Sequence, residues 1–198
     1  MADIFKLSTG SVATGLQTKY DDMLVGNAAY IPSNFYSIAT QTVGAGGASS
    51  VTFNSIPSTY THLQIRGIVR EASGGFDQAF MQLNSDTGSN YATHNLNGNG
   101  SAAGAGATAS TTSMSVAAIP GSNQTASIFG ATVIDILDYA NTNKYKTVRS
   151  LSGTDNNGSG YAWFASGLWQ NTSAVTNITI FSTYNFVQYS QFALYGIK

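Results

Sequence analysis

THLQIRGIVRE, residues 61–71, decides the fold class. Leu63, Ile65 and Val69 share one parity, while His62, Gln64, Arg66 and Arg70 take the other. A period of two is that of a β-strand with one face buried and one wet. The same texture of short apolar runs between turn residues fills the chain from residue 35 onward. It predicts strands at 35–43, 50–56, 61–71, 78–84, 90–96, 111–119, 126–139, 145–152, 161–170, 177–183 and 191–197. Many short strands with no fixed-period repeat point to an all-β, antiparallel two-sheet sandwich, jelly-roll-like, over residues 35–198.

Composition supports that class. Ser, Thr, Asn and Gly account for 83 of 198 residues, and these types compete with helices by local hydrogen bonding or backbone freedom. Glu occurs only at Glu71, so a surface helix could hardly be decorated with Glu–Lys pairs. Charged residues make up 9% of the chain and the net charge is −1, which gives no electrostatic reason to expect nucleic acid or an anionic membrane as partner. The absence of cysteine removes disulfides, thiolate nucleophiles and cysteine metal sites. MADIFKLSTG, residues 1–10, lacks the apolar run of a secretory signal, and no later stretch approaches a membrane-spanning length.

Some segments carry their own expectations. Residues 1–34 hold isolated apolar side chains without a sustained period and read as an extended arm, with Phe5, Leu7, Tyr20, Met23, Leu24 and Tyr30 as assembly contacts. Residues 85–88 read as a hairpin loop. The stretch 97–110, NGNGSAAGAGATAS, has too little side-chain volume for a core and reads as a surface-draped loop. SIFGATVIDIL, residues 127–137, is nearly continuous in apolar residues and predicts a central strand covered on both faces.

Candidates for chemistry are few. His62 and His94 sit in separate predicted strands with no nucleophile elbow anywhere in the chain, so both read as structural. Asp135 and Asp138 are three apart, which in a strand sends their side chains to opposite faces and prevents concerted acid–base work. DNNGS, residues 155–159, has the oxygen-rich start of a calcium loop without its closing Glu, and a plain turn is the stronger reading. The chain is therefore expected to be no enzyme and to use no cofactor or metal. Tyr161, Trp163 and Trp169 share one parity of an aromatic strand, with Phe164 on the other. They are sandwich core if buried, and ligand or subunit contacts if exposed.

Two pieces of the chain carry a resemblance. SVTFNSIPSTYTHLQIRGIVR, residues 50–70, and QFALYGIK, residues 191–198, resemble small head- and tail-associated virion proteins of tailed bacteriophages. KYDDMLVGNAAYIPS, residues 19–33, is similar to the linking segment ahead of the sandwich in that group. The resemblance implies a virion protein assembled in the host cytoplasm. The arm and the absence of shaft heptads favour a capsid decoration (cement) protein that contacts the major capsid protein and oligomerises as a trimer or dimer. The alternative is a tail fibre or receptor-binding subunit that contacts tail components and recognises a host glycan.

Overall fold

The alternation at residues 61–71 becomes a strand whose Leu63, Ile65 and Val69 are buried while Arg66 and Ile68 face solvent. The computed structural model describes residues 34–72 and 74–198. The expected arm, with Phe5, Leu7, Tyr20, Met23, Leu24 and Tyr30, lies outside the described residues apart from Asn34. Twelve strands occur among the described residues: β1 (Phe35–Thr42), β2 (Ala48–Phe53), β3 (His62–Val69), β4 (Phe76–Leu83), β5 (Tyr91–Gly98) and β6 (Ala103–Thr111). They continue with β7 (Met114–Pro120), β8 (Gly130–Leu137), β9 (Lys146–Asp155), β10 (Gly160–Trp169), β11 (Ile178–Phe186) and β12 (Gln191–Ile197). The described residues contain no helix, as the scarcity of helix formers predicts.

The strands form two antiparallel sheets, ordered β1-β12-β3-β8-β9-β10-β5-β6 and β2-β11-β4-β7. The expected two-sheet sandwich is the architecture found. Their facing sides enclose one principal core, including Phe53, Leu63, Met81, Met114, Ile136, Trp169, Ile180 and Leu194. Only β5–β6, β8–β9 and β9–β10 are sequential neighbours that pair. The other connections leave the strand they follow without pairing it, so the two sheets are stitched by crossovers.

The two pieces that carry the resemblance meet in space. β3 pairs β12 from Ile68↔Gln191 to His62↔Ile197, and Thr61 N donates to Ile197 O at 2.8 Å. The Tyr60 ring lies flat against Gly196, where any Cβ would collide with it. Tyr139, 0% exposed, donates its hydroxyl to Pro57 O and so closes the S-I-P turn. The motifs thus define one structural corner, and Gly196 is required by the approach of an aromatic ring.

Four expectations are corrected. Residues 97–110 are no loop: β6 pairs β5 from Gly98↔Ala103 to Tyr91↔Thr111. A ladder needs backbone groups and not side-chain volume, and the glycines make room here. A Cβ on Gly104 would lie 2.8 Å from Asn97 Oδ1, and one on Gly106 equally close to Asn95 Oδ1. The strand at 126–139 begins only at Gly130 and is covered on one face, with Ala131, Val133 and Leu137 exposed. Residues 85–88 do not close a hairpin, because β4 and β5 belong to different sheets. Arg70 is not on the wet face. It follows the last residue of β3, is 7% exposed, and donates from Nη1 to Thr125 O and Ile128 O and from Nη2 to Ser122 O and Gln124 O, at 2.8–2.9 Å. Its planar fork gathers the carbonyls of a loop that has no regular structure to satisfy them.

Candidate interaction surface

The outer face of the eight-stranded sheet, turned away from the four-stranded one, departs from the usual apolar-in, polar-out alternation of a half-wet antiparallel sheet. Register aligns one residue from each strand across it. Val133 pairs Leu151, Leu151 pairs Phe164, Phe164 pairs Leu96, and Leu96 pairs Ala105. The four large side chains are 38%, 60%, 43% and 61% exposed in that order. Aligned apolar side chains make a continuous stripe perpendicular to the strands. A stripe of this kind marks an interaction site where scattered single residues would not. Leaving a leucine more than half exposed forgoes about 1 kcal/mol or more of burial.

The rows on either side differ. On one flank stand Asp135, Arg149, Ser166 and His94, again in direct register. Arg149 Nη2 lies 3.3 Å from Asp135 Oδ2, and Gln64 Nε2 donates to Asp135 Oδ1 at 2.8 Å. On the other flank Ala131, Gly153, Ala162 and Gly98 leave the backbone nearly bare. Shallow depressions open between the rows, one of them lined by Val133, Asp135, Arg149, Leu151 and Phe164. The stripe ends on β6, whose residues are exposed along almost its whole length, and which carries neither a charge nor a proline.

The aromatic strand divides as its parity predicts. Trp169 is 1% exposed, stacks on Tyr91 with centroids 6.4 Å apart, and donates from Nε1 to Asp86 Oδ2 at 2.7 Å. That indole N–H is the main reason the Asp86 carboxyl sits below its ordinary value, helped by Asn90 Nδ2 and Gly88 N. Burial pushes the Tyr91 phenol up to about 12. Trp163 is also buried, and Tyr161 is half-buried between Trp163 and Phe76. These three side chains therefore face the sandwich side of β10. The surface residues are Phe164 and its row, and Leu96, Val133 and Leu151 were not singled out from sequence. The signal for Leu151 lay in KTVRSLS, residues 146–152, where Val148 and Leu151 have opposite parity.

One small recess lies beside these aromatics. It is lined by Phe76, Asp77, Gln78, Ala118, Tyr161 and Trp163, and the buried Trp163 Nε1 has no hydrogen-bond partner among the described residues. Apart from the exposed His94, the other polar candidates are engaged in local structure. His62 Nδ1 accepts from Asp138 N at 3.0 Å, whereas His94 stands on β5, four strands away in the sheet order. Asp138 follows the end of β8 at a positive φ of 48° and pairs with Lys144, which holds its carboxyl below the ordinary value. The turn at 155–160 is self-bonded through Asn157 N to Asp155 Oδ1 at 2.7 Å and Asn156 N to Ser159 O at 2.6 Å. Asn156 Oδ1 also accepts from Thr125 N at 3.0 Å, so this turn anchors the loop that Arg70 holds.

Comparison with protein-family models, with curated proteins and with solved structures yields no match.

Proposed function

We propose that this chain is a structural subunit of a tailed-bacteriophage virion: a capsid decoration (cement) protein that attaches through residues 1–34, associates with itself, and performs no catalysis. The observation that carries the reading is the exposed stripe Val133–Leu151–Phe164–Leu96, a surface suited to protein contact and without a reactive group. The resemblance of residues 50–70 and 191–198 to virion proteins supplies the particle, and the joining of those two pieces at one corner makes them a single unit of likeness. Near-neutral charge suits large contacts between copies, which strong like charge would oppose. Attachment through residues 1–34 rests on their sequence alone. The test is co-sedimentation with particles lacking this protein. The full chain is expected to bind, and residues 35–198 to remain a folded β domain that stays in the supernatant. Retained binding by the truncated chain refutes the assignment to the arm.

A specific observation favours a second reading, a tail subunit that binds host glycan. The recess beside Tyr161 is lined by the aromatic residues Phe76 and Tyr161 next to the polar residues Asp77 and Gln78, a combination that suits a sugar. Tyr161→Ala removes one of these rings. Glycan-array binding that this substitution abolishes establishes the second reading, and an array with no signal removes it.

A further inference from the structure

We infer that the outer face of the eight-stranded sheet packs against the same face of a second copy, about a two-fold axis that runs along the strands between β9 and β10. The inference deepens the assembly reading above and rests on it for its biological setting. Its physical argument is the sequence of side chains across the sheet. Rotation about that axis lays β9 over β10, β8 over β5 and β3 over β6 of the partner, because these strands lie symmetrically about it in the order β3-β8-β9-β10-β5-β6.

The consequences follow row by row. In the apolar row Leu151 meets Phe164 of the partner subunit and Val133 meets the partner's Leu96, so each large side chain faces a different one. The residue aligned with this row on β3 is Arg66, which pairs Val133 and falls opposite the partner's Ala105. In the polar row Asp135 faces the partner's His94, Arg149 faces the partner's Ser166, and Gln64 faces the partner's Ala107. Long side chains thus meet small ones, and a carboxylate meets an imidazole. Complementarity of this kind has no purpose on a face that stays in water.

The area is adequate as well. Six strands about 4.8 Å apart span roughly 24 Å, and seven or eight residues at about 3.3 Å each span a similar length. The face therefore projects roughly 600 Å² per copy, about 1,200 Å² in total, above the ~1,000 Å² at which specific interfaces begin. The twist between two packed sheets separates their outer corners but keeps the strands nearest the axis in contact.

Two measurements on the full chain test the proposal. Sedimentation equilibrium should give the mass of two chains, and Leu151→Glu, at an exposed position, should halve it with the far-UV circular dichroism spectrum unchanged. The second uses the absence of native cysteine. In the double variant Val133→Cys with Leu96→Cys, the thiols of one chain are three strands apart, about 14 Å. Across the interface they face each other, so a short bismaleimide should yield covalent dimers. Each single variant should yield none. A monomeric chain, a Leu151→Glu variant that remains dimeric, or single variants that cross-link as well as the double overturns the interface. A monomer found in purified particles overturns this interface alone. A dimer absent from every particle overturns the particle reading alone.

Discussion

Replacing Trp169 by Phe separates packing from hydrogen bonding at a fully buried aromatic pair of the sandwich. The substitution keeps a ring against Tyr91 and removes the Nε1 donor that Asp86 receives at 2.7 Å. A hydrogen bond to a charged group contributes about 1.5–3 kcal/mol, and partial solvent access at Asp86 favours the lower end, about 2 kcal/mol. The smaller ring adds roughly 1 kcal/mol of lost packing. Unfolding in urea at pH 7 should therefore show the variant weaker by about 3 kcal/mol, or about 6–12 °C in thermal midpoint for a domain of this size. The two parts differ in pH dependence. Asp86 has a folded value depressed below 3.8, so its contribution is present above 3.8 and is lost as pH falls through the folded value. Trp169 is the largest cause of that depression, so the deficit of the variant should shrink toward the packing part as pH drops below about 3.8. Far-UV circular dichroism of both chains at pH 7 and in acid reads the difference directly. A deficit that stays the same at both pH values refutes the assignment of the indole N–H to the carboxylate.

Two further perturbations address the corner and the buried cation. Gly196→Ala drives a methyl into the Tyr60 ring and should cost about 1–3 kcal/mol in urea unfolding, with Tyr60→Ala in the same chain recovering part of it; simple additivity of the two would count against the contact. Arg70→Met keeps an apolar stem and strips four donors from the carbonyls at 122–128, so a loss of about 3 kcal/mol is expected, with hydrogen exchange of the 121–129 loop accelerated. A change under about 1 kcal/mol would mean that water replaces the guanidinium without penalty.

Legibility followed side-chain volume. β3 could be read because burial on one face forces the contrast between Leu63, Ile65, Val69 and their neighbours. β6 could not, since Gly and Ala leave no amphipathic pattern, and what orders it is the ladder to β5 and the space it offers Asn95 and Asn97. The exposed stripe was hidden for the opposite reason. Apolar residues on both parities of β8 suit a strand covered on two faces as well as one with Val133 and Leu137 in water, and only sheet order separates the two. Likewise Asn84 to Asn90 has the chemistry of a hairpin turn, yet the segment crosses between sheets, tied by Asn90 Nδ2 to Asp86 and by the Tyr91 hydroxyl to the Leu83 and Asp86 carbonyls. Parity places Trp163 and Trp169 on one face but does not say which face is buried, and the partner of the Trp169 indole, 83 positions away, is beyond local reading.

The account rests on the chain being a particle subunit. Electron cryomicroscopy of the particles with which the chain co-purifies tests that proposal most directly. The account predicts density for a sandwich of eight and four strands repeated over the head surface; particles without that density, or with it only at the tail tip, contradict it.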